Sequence, residues 1–136
     1  MRHLISSLIA VLSLTLAVHG AENRSPAIEG VIQRQLDAFQ SDDVATAFGF
    51  ASPNIKSIFG DKDRFGIMVQ RGFPMVWRHS GVRFLELREV QGRMWQRVLV
   101  TDVSGQIHIL DYQMVESQQG WQINAVEILR AQSVGA

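Results

Sequence analysis

The spacing of apolar residues in this chain changes near Val82, and that change constrains the fold more than any other feature. Between Ile28 and Val69, apolar side chains recur every three or four residues, which is the spacing of one helix face. After Val82 they alternate with other side chains, which is typical of β-strands. Helical segments followed by strand segments predict an α+β fold in which the helices pack on one face of an antiparallel sheet.

Three N-terminal helices are predicted in the first half. The first lies in SPAIEGVIQRQLDAFQ, where Ser25 is a typical N-cap. The second is predicted to be capped by Ser41 and to end at Pro53, and the third to be capped by Asp61 and to end at Gly72. The stretch NIKSIFG, between the second and third helices, is predicted to be a short turn.

The stretch RFGIMVQRGFPMVWR, residues 64–78, is rich in aromatic, Met and Arg side chains, as a binding surface would be. Phe65, Met68 and Val69, however, have the spacing of one helix stripe, and such a stripe is usually part of the core. We therefore expect a helix followed directly by the first strand, with Trp77 closing the core between them.

Four strands are predicted in the second half, in VRFLELREV, RMWQRVLVTDV, QIHILDYQMV and WQINAVEILRA. Their separators are the turn signals Gln91-Gly92 and Ser104-Gly105 and the segment ESQQG. Short separators of this kind join antiparallel neighbours, so we predict an antiparallel meander of four strands.

The register of the second hairpin decides which side chains are buried. A two-residue turn at Ser104-Gly105 would place Val98 opposite Asp111, on the sheet face that the helices cover. A single β-bulge would shift the register by one residue, turn Asp111 outward and bury Tyr112 instead.

The first register predicts a ligand site on the helix-covered face. Asp111 would then be a general base or a ligand anchor in a cavity, with Glu127 as its neighbour. Gln96, Gln113 and Trp121 would complete the ligand pocket.

The opposite sheet face is also predicted to be apolar, because it carries Trp95, Leu99 and Leu110. Three helices can cover only one face of the sheet. We therefore expect a second copy of the chain on the other face, that is, a homodimer.

The N-terminal segment has the pattern of a secretory signal peptide: a basic start at Arg2, an uncharged run from Leu4 to Val18, and a small residue at Gly20. The run is shorter than the roughly 20 residues of a membrane-spanning helix. We expect cleavage after Gly20, a single mature domain at residues 21–136, a secreted or periplasmic location, and no stable membrane span.

Composition excludes several classes of function. The chain has no cysteine, which excludes disulfide bonds and thiol chemistry, and neither His79 nor His108 belongs to a zinc-type spacing, so no metal or other cofactor is expected. The 13 basic and 13 acidic residues balance, so a nucleic-acid partner is not expected either.

The segments FASPNIKSIFGDKDRFGIMVQRGFPMVW, LDYQMV and GWQINAVEI resemble a family of uncharacterised secreted bacterial domains within the nuclear transport factor 2-like (SnoaL-like, cystatin-like) superfold. The resemblance implies N-terminal helices on the concave face of a strongly bent, cone-like sheet. The superfold includes ketosteroid isomerase, scytalone dehydratase, polyketide cyclases and members with no known reaction, and no catalytic motif of those enzymes can be placed on this chain. Fold alone therefore does not choose a function.

Three functions stay open at this stage. The first is non-catalytic binding of a small molecule or a protein partner. The second is an isomerase or dehydratase that uses a cavity carboxylate as its general base. The third is a structural dimerisation module, which needs only the two-sided sheet.

Overall fold

The structure is a computed structural model that describes residues 23–132, with side chains described as far as residue 129. The predicted signal peptide, residues 1–20, lies outside the described residues. Within them the helices are α1 (Pro26–Gln40), α2 (Val44–Gly49), α3 (Pro53–Phe59), α4 (Lys62–Gly72) and α5 (Pro74–Trp77). The strands are β1 (His79–Val90), β2 (Arg93–Asp102), β3 (Ile107–Ser117) and β4 (Gly120–Gln132). The predicted α+β class is confirmed.

Side-chain caps set the beginnings of the helices. Ser25 Oγ accepts from the backbone N–H of Ile28, and an Asp61 carboxylate oxygen accepts from that of Arg64, so both predicted caps are confirmed. The second helix begins after Asp43, which caps it in place of the predicted Ser41.

The prediction of a turn at NIKSIFG is wrong, because this stretch forms most of α3. Ser52 caps α3, and Pro53 occupies its first helical position. Proline fits there, since its φ is already helical and the first turn of a helix needs no donor from it. Pro53 therefore begins a helix, where the sequence suggested that it ended the previous one.

The four strands form an antiparallel meander in the order β1-β2-β3-β4, as predicted. Gln91 and Gly92 form the two-residue turn of the first hairpin, since Val90 pairs with Arg93. Both turn residues have positive φ, 51° and 77°, which matches the right-handed twist of the flanking strands.

The second hairpin differs from the prediction by one residue. Its loop has three residues, 103–105, and ends at Gly105 with φ 88°. The Asp102 carboxylate accepts from the backbone N–H groups of Ser104 and Gln106, which stabilises this longer loop. Hydrogen bonds from the side chains of Ser104 and His108 hold the pKa of the Asp102 carboxyl well below its usual range.

The longer loop changes every cross-strand pair in this hairpin. Val98 lies opposite Leu110, and Arg97 lies opposite Asp111. The prediction that Asp111 shares a face with Val98 is therefore wrong, because a shift of one residue moves each side chain to the other face. The structure follows the alternative register, in which Tyr112 is buried.

The hydrophobic core lies between the helices and one face of the sheet. Tyr112 and Leu110 are fully buried in it, together with apolar residues of α1 and α4. Leu110 is therefore not available for the predicted dimer surface. The opposite face keeps Trp95 and Leu99, both only partly buried.

The segment of residues 64–78 connects the helices to the sheet, but not directly as predicted. A fifth helix, α5, lies between α4 and β1, because Pro74 begins a new helical turn after α4 ends, so the described residues form five helices where three were predicted. Phe65 and Val69 are buried core residues of α4, and Trp77 packs against the core just before β1 begins. No helix within residues 23–132 has both the length and the apolar character needed to cross a membrane.

Candidate functional site

A cavity of about 290 Å³ lies between the helices and the inner face of β3 and β4. Helical residues and strand residues both contribute to its wall. The wall consists of Gln35, Phe39, Ala51, Ile55, Phe59, Phe65, Met68, Val69, Phe73, Val76, Tyr112, Ile123, Asn124, Ala125 and Val126. None of these side chains carries a charge.

One side of the wall is the apolar stripe of α4, which the sequence analysis assigned to the core. Phe65, Met68 and Val69 face the cavity from consecutive turns of this helix. The ring of Phe65 also contacts two other wall rings, with centroids 6.0 Å from Phe39 and 5.9 Å from Phe59. These aromatic contacts pack the three rings together on the helical side of the cavity.

The opposite side of the wall depends on an irregularity in β4. Met114 pairs with Ile123 and Gln113 pairs with Ala125, so Asn124 is an extra residue that forms a β-bulge. The backbone of Ile123 bonds to Phe50 O and to the N–H of residue 52, which attaches the chain before α3 to the edge of the sheet.

Two side-chain hydrogen bonds hold the bulge. Ser52 Oγ donates to Asn124 Oδ1 at 2.7 Å, and Asn124 Nδ2 donates to Gln113 Oε1 at 2.6 Å. The polar groups of Asn124 are thus used within the protein. The bulge in turn positions Asn124, Ala125 and Val126 in the cavity wall.

Tyr112 is the polar wall residue whose hydroxyl has no partner. It projects from β3 into the helix-covered layer, opposite Val126 of β4, and its side chain is fully buried. No hydrogen-bonding group among residues 23–129 reaches its hydroxyl. Burial raises the pKa of this phenol, so it remains protonated at neutral pH.

The other buried polar wall residue, Gln35, has a partner. Its side-chain amide donates to the backbone carbonyl of Ala47 at 3.1 Å, which connects α1 to α2. The amides of Gln35 and Asn124 therefore have hydrogen-bond partners, whereas the hydroxyl of Tyr112 has none among residues 23–129.

The side chains of the cavity wall are fully buried at one end of the cavity and partly exposed at the other. Tyr112 and Phe39 are inaccessible to solvent, whereas Ile55, Phe59 and Met68 are partly exposed. The cavity is therefore closed at the end near Tyr112 and open toward the surface between α3 and α4.

Asp111, the predicted general base, lies outside this cavity. Its carboxylate is on the opposite face of the sheet, where it forms a two-point ion pair with Arg88 at 2.7 and 3.2 Å. A second guanidinium, that of Arg97, lies 3.8 Å away and pairs with Glu86 as well. This position gives no support to a general base in the cavity.

The other predicted site residues are also dispersed. Glu127 is the cross-strand neighbour of Asp111, as expected, but it is exposed on the outer face. Gln96 is buried at a bulge in β1, where its amide donates to the carbonyl of Leu85. Trp121 packs against the core without entering the cavity wall.

Gln113 reaches the site indirectly. It does not line the cavity, but its carbonyl oxygen accepts the hydrogen bond that orients Asn124. No local pattern in the sequence points to Gln35 or Asn124, since it takes a bulge and the packing of helices on the sheet to bring them to one wall. Tyr112 was predicted to be buried only in the alternative register.

His108 and Asp102 form a hydrogen-bonded pair at the end of the sheet, with 2.8 Å between Nε2 and Oδ2. The same carboxylate binds the loop of the second hairpin, and the pair is not part of the cavity wall. Within residues 23–132, no three His, Asp or Glu side chains cluster in a way that would hold a metal ion.

Comparison with known proteins gives a family but no activity. Residues 21–136 match the model of a family described as a domain of unknown function, DUF4864. No curated protein matches the sequence. Among solved structures, a phospholipid-binding protein from Ralstonia solanacearum, in complex with a phospholipid, is similar at 14% identity and a TM-score of 0.47, with 76% of each chain covered. A similarity of this size carries no inference about a ligand.

Proposed function

The chain belongs to the DUF4864 family, and we propose that this member binds a small, mostly apolar molecule in the cavity between its helices and its sheet. The cavity itself is the observation that carries the proposal. Folded domains seldom leave more than a few voids larger than a water molecule, because each void forfeits packing contacts. An opening of about 290 Å³, close to the lower limit of ligand pockets, is therefore a candidate binding site.

The composition of the wall indicates the class of ligand. Twelve apolar side chains and Tyr112 surround the space, and no charged group faces it. An ionised ligand would lose its hydration there without gaining a partner, which is costly. An apolar molecule would instead gain the favourable free energy of leaving water.

Titration with β-methylnaphthalene, a neutral aromatic molecule of suitable size, tests the proposal. We expect saturable binding by isothermal titration calorimetry, with a dissociation constant between about 1 µM and 1 mM for a ligand of this size. The protein should also unfold at a higher temperature when the probe is present.

Two adjacent residues of α4 provide matched variants. Met68 lines the cavity near its open end, whereas Ile67 is 48% exposed and does not line it. Met68→Trp should fill part of the cavity and weaken probe binding by at least about tenfold, while Ile67→Trp should leave it unchanged. Absence of saturable binding, or an equal loss in both folded variants, would contradict the proposal.

We further propose that the domain has a nuclear transport factor 2-like fold. The order of helices followed by a four-stranded antiparallel meander supports it, as does the placement of the helices on one sheet face. The bulges in β1 and β4 support it too, since bulges bend strands.

Export to the periplasm or the medium is also proposed. The support is the sequence pattern of residues 1–20, with its basic start, its uncharged run and a small residue at the expected cleavage point.

A homodimer through the outer sheet face remains a proposal as well. Trp95 and Leu99 of β2 and Ile109 of β3 are partly exposed there, on the face opposite the core. Leu110 no longer belongs to this surface.

A further inference from the structure

Tyr112 lines the cavity, and its hydroxyl is a buried hydrogen-bonding group without a partner among residues 23–129. An unsatisfied buried hydroxyl is destabilising, and such groups are uncommon in folded proteins. Tyr112 lines the cavity from the inner face of the sheet, so its side chain lies in the layer between sheet and helices. Neighbouring side chains cover its hydroxyl, so an acceptor reaches the hydroxyl when a side chain of the wall shifts.

The phenol offers one specific interaction to a molecule in the cavity. It remains protonated at neutral pH because burial raises its pKa, so it can donate a hydrogen bond. The nearby amides do not compete for it, since Gln35 donates to Ala47 and Asn124 bonds to Ser52 and Gln113.

The size of the cavity limits the ligand. A volume of about 290 Å³ corresponds to roughly ten water molecules, or on the order of ten to fifteen non-hydrogen atoms. Tyr112 and Phe39 form the closed end, so the group that meets the hydroxyl must enter first. A chain that ends in a methyl group would leave the hydroxyl unpaired.

We propose that the physiological ligand is a compact, neutral, largely apolar molecule with one oxygen acceptor, such as a hydroxyl, ether or carbonyl, which binds at the closed end and accepts a hydrogen bond from the Tyr112 hydroxyl. This inference rests on the proposed function and specifies its ligand class. It makes Tyr112 a determinant of specificity.

A comparison of two probes and two proteins tests the inference. β-Naphthol and β-methylnaphthalene have the same number of non-hydrogen atoms and nearly the same shape, but only the former carries an oxygen. The ratio of their dissociation constants is measured by calorimetry in the natural protein and in Tyr112→Phe. Forming this ratio cancels the different hydration of the two probes, because each probe is compared with itself.

We expect the replacement to weaken naphthol binding by about five- to tenfold relative to methylnaphthalene, which is the effect of one buried neutral hydrogen bond. Methylnaphthalene binding should change little, since Phe keeps the ring. An unchanged ratio would overturn the inference while leaving the apolar site intact. Failure of both probes to bind the natural protein would instead overturn the proposed function.

Thr101→Val serves as the control. It removes a hydroxyl from β2 at a position outside the cavity wall and keeps the phenol. The preference for naphthol should persist in this variant if the phenol is its origin. Loss of the preference in Thr101→Val with retention in Tyr112→Phe would also overturn the inference.

Discussion

Replacement of Asp111 by Asn should destabilise the protein without affecting the cavity. The Asp111 side chain is only 6% exposed, and it receives two short hydrogen bonds from Arg88, whose side chain is 29% exposed. The substitution keeps the size of the side chain but removes its charge. Two arginines on the outer face then lose their nearest buried anion.

The magnitude follows from the burial of the partners. Breaking a fully buried ion pair typically costs about 3 to 5 kcal/mol, because the remaining charge has no partner. Arg88 retains some contact with water, and Arg97 still pairs with Glu86, so the loss should be smaller. We expect the free energy of unfolding to fall by about 2 to 4 kcal/mol.

Urea denaturation provides the assay. The midpoint should fall while the slope stays constant, since the exposed surface on unfolding is unchanged. Glu127→Gln is the matched control: it removes a carboxylate from the neighbouring position on β4, but that side chain is exposed. Its effect should stay within about 0.5 kcal/mol.

A double replacement separates the ion pair from its surroundings. Arg88→Met combined with Asp111→Leu removes both charges together, and it should recover much of the stability that Asp111→Asn loses. A loss below about 0.5 kcal/mol in Asp111→Asn would refute the reasoning. The reasoning would also be refuted if a folded Asp111→Asn protein no longer bound methylnaphthalene, because this result would mean that the Asp111 carboxylate takes part in the ligand site.

Four further outcomes are expected. Tyr112→Phe should leave the free energy of unfolding unchanged or raise it by up to about 1 kcal/mol, because it removes an unpaired buried hydroxyl; a clear loss in urea denaturation would mean that the hydroxyl has a partner. The pKa of Asp102 is lower in the folded than in the unfolded protein, so its contribution to stability is present above about pH 4 and is lost as the pH falls further. In Asp102→Asn, the melting temperature should therefore fall less steeply as the pH is lowered below about 4. An equally steep fall in this variant would contradict the stabilising role of the Asp102 carboxylate. N-terminal sequencing of the exported protein should begin near Ala21, and a sequence that begins at Met1 would exclude cleavage. Light scattering should detect a dimer that Leu99→Lys converts to monomers, and a monomeric natural protein at high concentration would exclude it.

Local patterns in the sequence determined the class of fold. The change in apolar spacing near Val82 was sufficient to predict helices followed by a sheet, and the Gln91-Gly92 pair predicted a two-residue turn. Both predictions hold because they depend on contacts between residues close in the chain. Ser25 and Asp61 were recognisable as helix caps for the same reason.

Tertiary structure alone decided which side chains form the site. The second hairpin has three loop residues rather than two, and this register places Leu110 and Tyr112 beneath the helices, far from them in the chain. That single residue of register moved Asp111 to the outer face and Tyr112 into the cavity. The alternation of a strand allows either arrangement, so the sequence could state both registers without choosing between them.

The cavity wall was even less predictable from local sequence patterns. Phe65 and Val69 were identified as a buried stripe, which is correct, but a stripe that faces a cavity has the same spacing as one that faces packed side chains. One wall of the space includes a bulge at Asn124, which bonds to Ser52, far from β4 in the chain. Contacts between segments so distant in sequence leave no local periodicity, and for that reason only the folded structure reveals them.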